Sequence, residues 1–151
     1  MPWVISFIIS WILFFTLIDY KQLKRNIFGG IAALILGSIV DWGGQKLGIY
    51  HFYDVIIPWA GCSAFYKFGP IFVMGTLFSQ SVPKKPWIQA LNILIFSLLY
   101  LFLEALIIST GVAEYFSWHI LASLLINILT FSSLTYFKEN FLEKIEVNKS
   151  Y

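Results

Sequence analysis

Apolar residues run along this chain in five long blocks separated by short polar clusters, without the strict alternation of a half-buried sheet. The blocks cover approximately 3–18, 27–47, 65–78, 88–110 and 119–137. Each approaches the roughly 20 residues an α-helix needs to cross about 30 Å of hydrocarbon. The third is the shortest, and Pro70 lies in its first turns. Residues 48–64, GIYHFYDVIIPWAGCSA, are aromatic and only moderately apolar, the make-up of an interfacial or re-entrant segment. The pattern predicts an all-α fold, an integral membrane bundle of five transmembrane helices in a single domain, with a solvated, partly helical tail over 138–151.

Composition sharpens this. Of 151 residues, 59% are hydrophobic and 12% charged, with a mean hydropathy of +0.79. A soluble domain carries about 25% charged residues, so a water-soluble globule is excluded. One cysteine, Cys62, excludes an internal disulfide and any Cys-rich metal site. The net charge of +2 is weak and the basic residues sit at block ends, leaving no nucleic-acid footprint. The six Trp residues read mostly as interfacial anchors. The first block lacks a basic leader and a small-residue cleavage site, and reads as a retained span rather than a signal peptide.

Loop charges set an orientation. Lys21, Lys24 and Arg25 follow the first block, Lys84 and Lys85 follow the third, and Lys138, Lys144 and Lys149 follow the fifth. Lys46 and Lys67 flank the second connection, and the fourth, GVAEYFSW, has no Lys or Arg. Positive loops stay in the cytoplasm, so the expected arrangement is N-terminus outside and C-terminus cytoplasmic. Five spans keep both strongly basic loops on one side, whereas four would separate them.

Two carboxylates interrupt the apolar blocks. Asp41 lies about 21 Å along the second span and Glu104 about 24 Å along the fourth, at 1.5 Å per residue. Both therefore reach the outer third of the membrane. A carboxylate at such depth costs roughly 2.5–3.5 kcal/mol and ordinarily faces protein or water. Gly29, Ala33, Gly37, Asp41 and Gln45 recur every four residues, a stripe on which a second helix can close. Ala90, Ile93, Ser97, Tyr100, Glu104 and Gly111 share a face of the fourth span, and His119, Ser123, Asn127 and Thr130 form a polar stripe on the fifth. Folding the spans together would bring Asp41, Glu104, His119, Asn127, Tyr100 and Lys67 into the outer half as a ligand- or ion-binding set.

Each has a plainer reading. The carboxylates can lock helix packing through hydrogen bonds, His119 can be a wet interfacial anchor, Lys67 can snorkel from a span end, and Asn127 can be interhelical glue. Two carboxylates in a low-dielectric pocket cannot both ionise cheaply, so such a pair can take up a proton, a small metal cation or an ammonium group. Asp41, Glu104, His119 and His51 are weak candidates for a mixed oxygen and nitrogen metal site, with no spacing such as HExxH behind them. His51 and Asp54 read as interfacial polar residues. No nucleophile-elbow, P-loop or paired-histidine motif is present, and no cofactor is expected.

The sequence also resembles a family of small uncharacterised polytopic membrane proteins of spore-forming Gram-positive bacteria. The resemblance rests on Asp41 in GSIVDW, on Tyr50, Phe52 and Tyr53 in IYHFYD, and on a Pro–Lys–Lys loop before LYLFLEALI with Glu104. Trp118 and Asn127 in SLLINILTF complete it. It covers nearly the whole chain beyond the first span. It implies a bacterial plasma membrane, a five-helix bundle and a shared polar set of Asp41, Glu104 and Asn127, and it brings no established activity.

The leading expectation is a non-enzymatic multi-pass plasma-membrane protein that binds a proton, small cation or cationic ligand at an outward-facing carboxylate site, as a transporter component or sensor. Besides the lipid bilayer, its expected partners are copies of itself or another membrane subunit. The alternatives are an assembly subunit whose carboxylates only specify packing, and an intramembrane enzyme that uses Glu104 and His119 on a lipid head group.

Overall fold

A computed structural model describes residues 1–144. Helix α1 is Pro2–Leu17 and α2 is Leu23–Lys46. Helix α3 is composite, running from Ala64–Tyr66 through a π-helical turn at Lys67–Ile71 into Phe72–Ser81. Helix α4 is Pro86–Ser109 and α5 is Ile120–Phe137, which continues into a second π-helical turn, Lys138–Leu142. Pro2 and Pro86 each occupy a first turn, where the missing N–H has no helical partner to lose. Pro70 sits inside α3. There it can neither donate to the preceding turn nor avoid its carbonyl, and the π-turn is where the helix absorbs both faults.

Three helical stretches, Leu23–Lys46, Pro86–Ser109 and Ile120–Leu142, are long and apolar enough to cross a membrane. Their outward faces carry exposed Ile39, Leu91, Phe102 and Leu121. This inversion of soluble-protein surfaces is compatible with a membrane protein. Helix α1, at 16 residues, is shorter.

The chain is not purely α-helical. Strand β1, Tyr50–Phe52, pairs antiparallel with β4, Ala113–Tyr115, in the register Tyr50 with Tyr115, His51 with Glu114 and Phe52 with Ala113. Strands β2, Pro58–Trp59, and β3, Cys62–Ser63, form a hairpin across Ala60 and Gly61, both at positive φ. Two such residues give the turn whose twist suits a two-residue hairpin. Residues 48–64 thus fold as a cap made of a ribbon strand and a hairpin. Gly48 and Gly111, at φ +65° and +78°, turn α2 and α4 out of their helices into the cap.

That ribbon places the α2–α3 and α4–α5 connections at one end of the bundle. Helix α1 starts there too, where Trp3 Nε1 donates to the Tyr53 carbonyl at 3.1 Å. At the other end the Asp19 N–H donates to Gln80 Oε1 at 2.7 Å, and Gln80 Nε2 donates to the Leu17 carbonyl at 3.0 Å. The two basic connections therefore share the opposite end.

The small-residue stripe of α2 closes on α3. A Cβ at Gly75 would sit 3.0 Å from the Gly29 carbonyl oxygen and against the Ala33 side chain, and a Cβ at Gly30 would meet Phe72 and Thr76. The bundle itself thus uses the stripe. Helix α1 leans on α3 at Gly69, where a Cβ would be 2.8 Å from the Phe7 Cα. Between α1 and α4 lies an apolar groove of about 700 Å³. Phe78 anchors the inner core against Phe131 and Phe96, with ring centroids 4.7 and 5.1 Å away. The tail is not all solvated: Lys138 and Leu142 are buried, and Lys138 Nζ donates to the Val82 carbonyl at 3.3 Å. The rest of the tail, 145–151 with Lys149, lies outside the described residues.

Candidate functional site

Asp41 and Glu104 both line one cavity of about 90 Å³ beneath the β1–β4 ribbon. Each is met by a tyrosine from the same cross-strand pair. Tyr50 Oη donates to the Val40 carbonyl at 2.9 Å and reaches Asp41 Oδ1 at 3.3 Å. Its partner in register, Tyr115, donates to Glu104 Oε1 at 2.8 Å. Directly paired residues project from the same face of a ribbon, so one strand pair delivers one phenol to each carboxylate. Burial, followed by the charges of Asp41 and of Glu104, holds the Tyr50 and Tyr115 hydroxyls above the ordinary phenol range. Both stay protonated donors near neutral pH.

Asp41 also has a cation. Lys67 Nζ forms an ion pair with Asp41 Oδ2 and donates to the Gly37 carbonyl at 2.9 Å. Lys67 is fully buried. It does not snorkel to a surface, because its place in the first turns of α3 points it at the α2 stripe. At Gly37 a Cβ would sit 3.3 Å from the Ile71 side chain, so the missing side chain makes room for α3 against α2.

Two hydroxyls hold one oxygen of Glu104. Trp118 Nε1, which can only donate, gives its proton to Ser123 Oγ at 2.7 Å. Ser123 is then free to direct its own proton to Glu104 Oε1 at 3.2 Å, alongside Tyr115. The relay ends at the carboxylate. Its second oxygen, Oε2, is buried and makes no hydrogen bond among the described residues, and neither does Asn127 Nδ2, although the Asn127 amide is a polar neighbour of Glu104. Tyr66 and Tyr100, ring centroids 6.5 Å apart, continue the aromatic wall from Tyr50.

Of the six residues expected to converge, Asp41, Glu104, Tyr100 and Asn127 line the cavity, and Lys67 is joined to it through Asp41. His119 is not there. It is the exposed N-cap residue of α5, and its backbone carbonyl accepts from Ala122 and Ser123 at 2.9 and 3.2 Å. Lying one residue outside the helix, it falls off the stripe that Ser123 and Asn127 continue. His51 is exposed on β1, edge-on to the Tyr53 ring at 4.8 Å. The metal set of Asp41, Glu104, His119 and His51 is therefore not assembled, and no group of three His, Cys, Asp or Glu side chains suited to a metal occurs among the described residues. The acid–base pair of Glu104 with His119, which chemistry on a lipid head group would need, is not assembled either.

Sequence reasoning overlooked Tyr50, Tyr66, Tyr115 and Trp118 as wall residues. Trp3 and Trp118 are structural members, whereas Trp42, Trp59 and Trp87 keep the exposed positions expected of anchors. No family model, no curated protein and no solved structure matches the chain.

Proposed function

We propose that this chain is a multi-pass plasma-membrane protein of five spans, N-terminus outside, that binds a proton, small cation or cationic ligand at Glu104 in the cavity under the ribbon. The shared end of the two basic connections supports the orientation, since positive loops are retained in the cytoplasm. The cavity then faces outward. The observation that carries the reading is the contrast between the carboxylates: Lys67 neutralises Asp41, while Glu104, which lines the cavity, has neutral donors on one oxygen and no cation beside it among the described residues. An uncompensated charge at this depth favours a positive partner. Such a protein serves as a transporter component or a sensor, alone or with copies or partner subunits.

The Asp41–Lys67 pair favours a second role in the same molecule. It clamps α2 to α3, as an assembly or packing element would. The test is thermal stability of the detergent-solubilised protein across pH and a panel of mono- and divalent cations, for wild type, Glu104→Gln and Asp41→Asn. The expected result is a saturable shift that Glu104→Gln abolishes. Identical responses from all three proteins, differing only in baseline, would reduce both carboxylates to packing elements.

A further inference from the structure

The walls of the cavity speak to what kind of cation it takes. Hard metal ions gather six or more oxygen ligands, and of the carboxylate oxygens lining this cavity only Glu104 Oε2 is without a hydrogen bond among the described residues, because Asp41 is held by Lys67 and Tyr50. Beyond the polar groups on Glu104, aromatic side chains line the cavity instead. Tyr50, Tyr66, Tyr100, Tyr115 and Trp118 all line the cavity, with Tyr50 lying 6.2 Å from Tyr115 and 6.1 Å from Trp118 by centroid. Aromatic faces around a cation are how proteins hold alkylated ammonium groups, whose methyl hydrogens carry the charge to the ring quadrupoles.

Size narrows the choice. A cavity of 150 Å³ accommodates benzene, so about 90 Å³ corresponds to about four heavy atoms. A phospholipid head group does not fit in that space. Asn127 adds a second polar group at the same place: it is 7% exposed, lines the cavity beside Glu104, and its amide nitrogen makes no hydrogen bond of good geometry among the described residues. A half-turn of that amide presents its carbonyl oxygen instead, which gives an ammonium a second acceptor beside Glu104.

We propose that the ligand of this cavity is a small alkylammonium ion of about four heavy atoms or fewer, its N–H bonds directed at Glu104 Oε2 and the Asn127 amide, its alkyl groups against Tyr66 and Tyr100. This rests on the reading of Glu104 as a cation acceptor and names the class of cation. The experiment is isothermal titration of the full-length protein in nanodiscs with methylammonium, ethylammonium, trimethylammonium and tetrabutylammonium, and with sodium, potassium, magnesium and calcium. The small alkylammonium ions should bind saturably, and tetrabutylammonium and the metals should not. Glu104→Gln should weaken binding at least tenfold. Tyr100→Leu, which removes a face, should weaken it by about tenfold, and Tyr100→Phe, which keeps the face, should restore it. Saturable binding of a metal that Glu104→Gln abolishes, without alkylammonium binding, overturns the ligand class and leaves the cation site standing. Binding of neither class overturns both. The wild-type series decides between these outcomes even where a variant fails to fold.

Discussion

The ion pair between Asp41 and Lys67 offers a perturbation whose sign and size follow from burial. Lys67 is fully buried and Asp41 is 16% exposed. Lys67→Met removes the ammonium and leaves the Asp41 carboxylate with only the Tyr50 hydroxyl at 3.3 Å. Asp41→Asn leaves the ammonium facing the Gly37 carbonyl alone among its hydrogen-bond acceptors. Breaking a buried pair by removing one partner costs about 3–5 kcal/mol, whereas removing both charges together is close to neutral. The Gly37 carbonyl keeps its own helical partner in α2 whichever residue occupies position 67. Each single variant should therefore lose about 3–5 kcal/mol. The double variant Asp41→Asn/Lys67→Met should be more stable than either and close to wild type, which corresponds to a coupling energy of about 6–10 kcal/mol. Reversible unfolding of the four proteins in mixed detergent micelles measures the cycle. Additive losses, or a Lys67→Met cost below about 1 kcal/mol, would mean that the ammonium sits in water and that Asp41 is as free as Glu104.

Three further outcomes follow from the packing. Gly75→Val forces a side chain between the Gly29 carbonyl, 3.0 Å from its Cβ, and Ala33, so overpacking should cost at least about 1–3 kcal/mol and lower the detergent melting temperature; an unchanged melt would show that α2 and α3 do not close there. Cys62, 1% exposed, has its thiol held above the ordinary range by burial first and by the Asp41 charge second. Since the thiolate is the nucleophile, maleimide should leave the folded protein unlabelled at neutral pH and label it quantitatively in SDS, and fast labelling of the folded form would place the cap open. Trp3→Phe removes the indole donor that ties α1 to the Tyr53 carbonyl while keeping a ring face toward Tyr66. It should cost about 1–2 kcal/mol in an unfolding titration, and a neutral result would detach α1 from the cap.

Much of this arrangement is legible in the sequence. The every-fourth-residue spacing of Gly29, Ala33, Gly37 and Asp41 predicted a close-packed face topped by a carboxylate, and the helices close along that face. Ser123 and Asn127 were visible by the same periodicity, as were Tyr100 and Glu104. What escaped depends on contacts between distant segments. A three-residue pairing of Tyr50–Phe52 with Ala113–Tyr115 leaves no alternation to read, yet it delivers the phenols to both carboxylates. Lys67 looked like a residue at the end of a span because a sequence gives depth but not direction, and only the approach of α3 to α2 turns it inward. The signal that was there lay in Asp41 itself, a charge in need of a partner at similar depth. His119 is the opposite case: it lies one residue before the helix, at a cap whose side chain does not follow the stripe.

If Glu104 carries the charge that meets a cation in this cavity, its own carboxyl group responds when the cation arrives. Infrared difference spectroscopy of the protein in lipid reads that carboxyl group directly, through its carboxylate and carboxylic-acid stretches as a cation is added or the pH is stepped, with Glu104→Gln as the reference. The expected result is a saturable change in a carboxyl band on adding a small alkylammonium ion or on changing pH, present in wild type and in Tyr100→Phe and absent from Glu104→Gln. A spectrum that no cation and no pH step alters, or one that changes identically in Glu104→Gln, would contradict it.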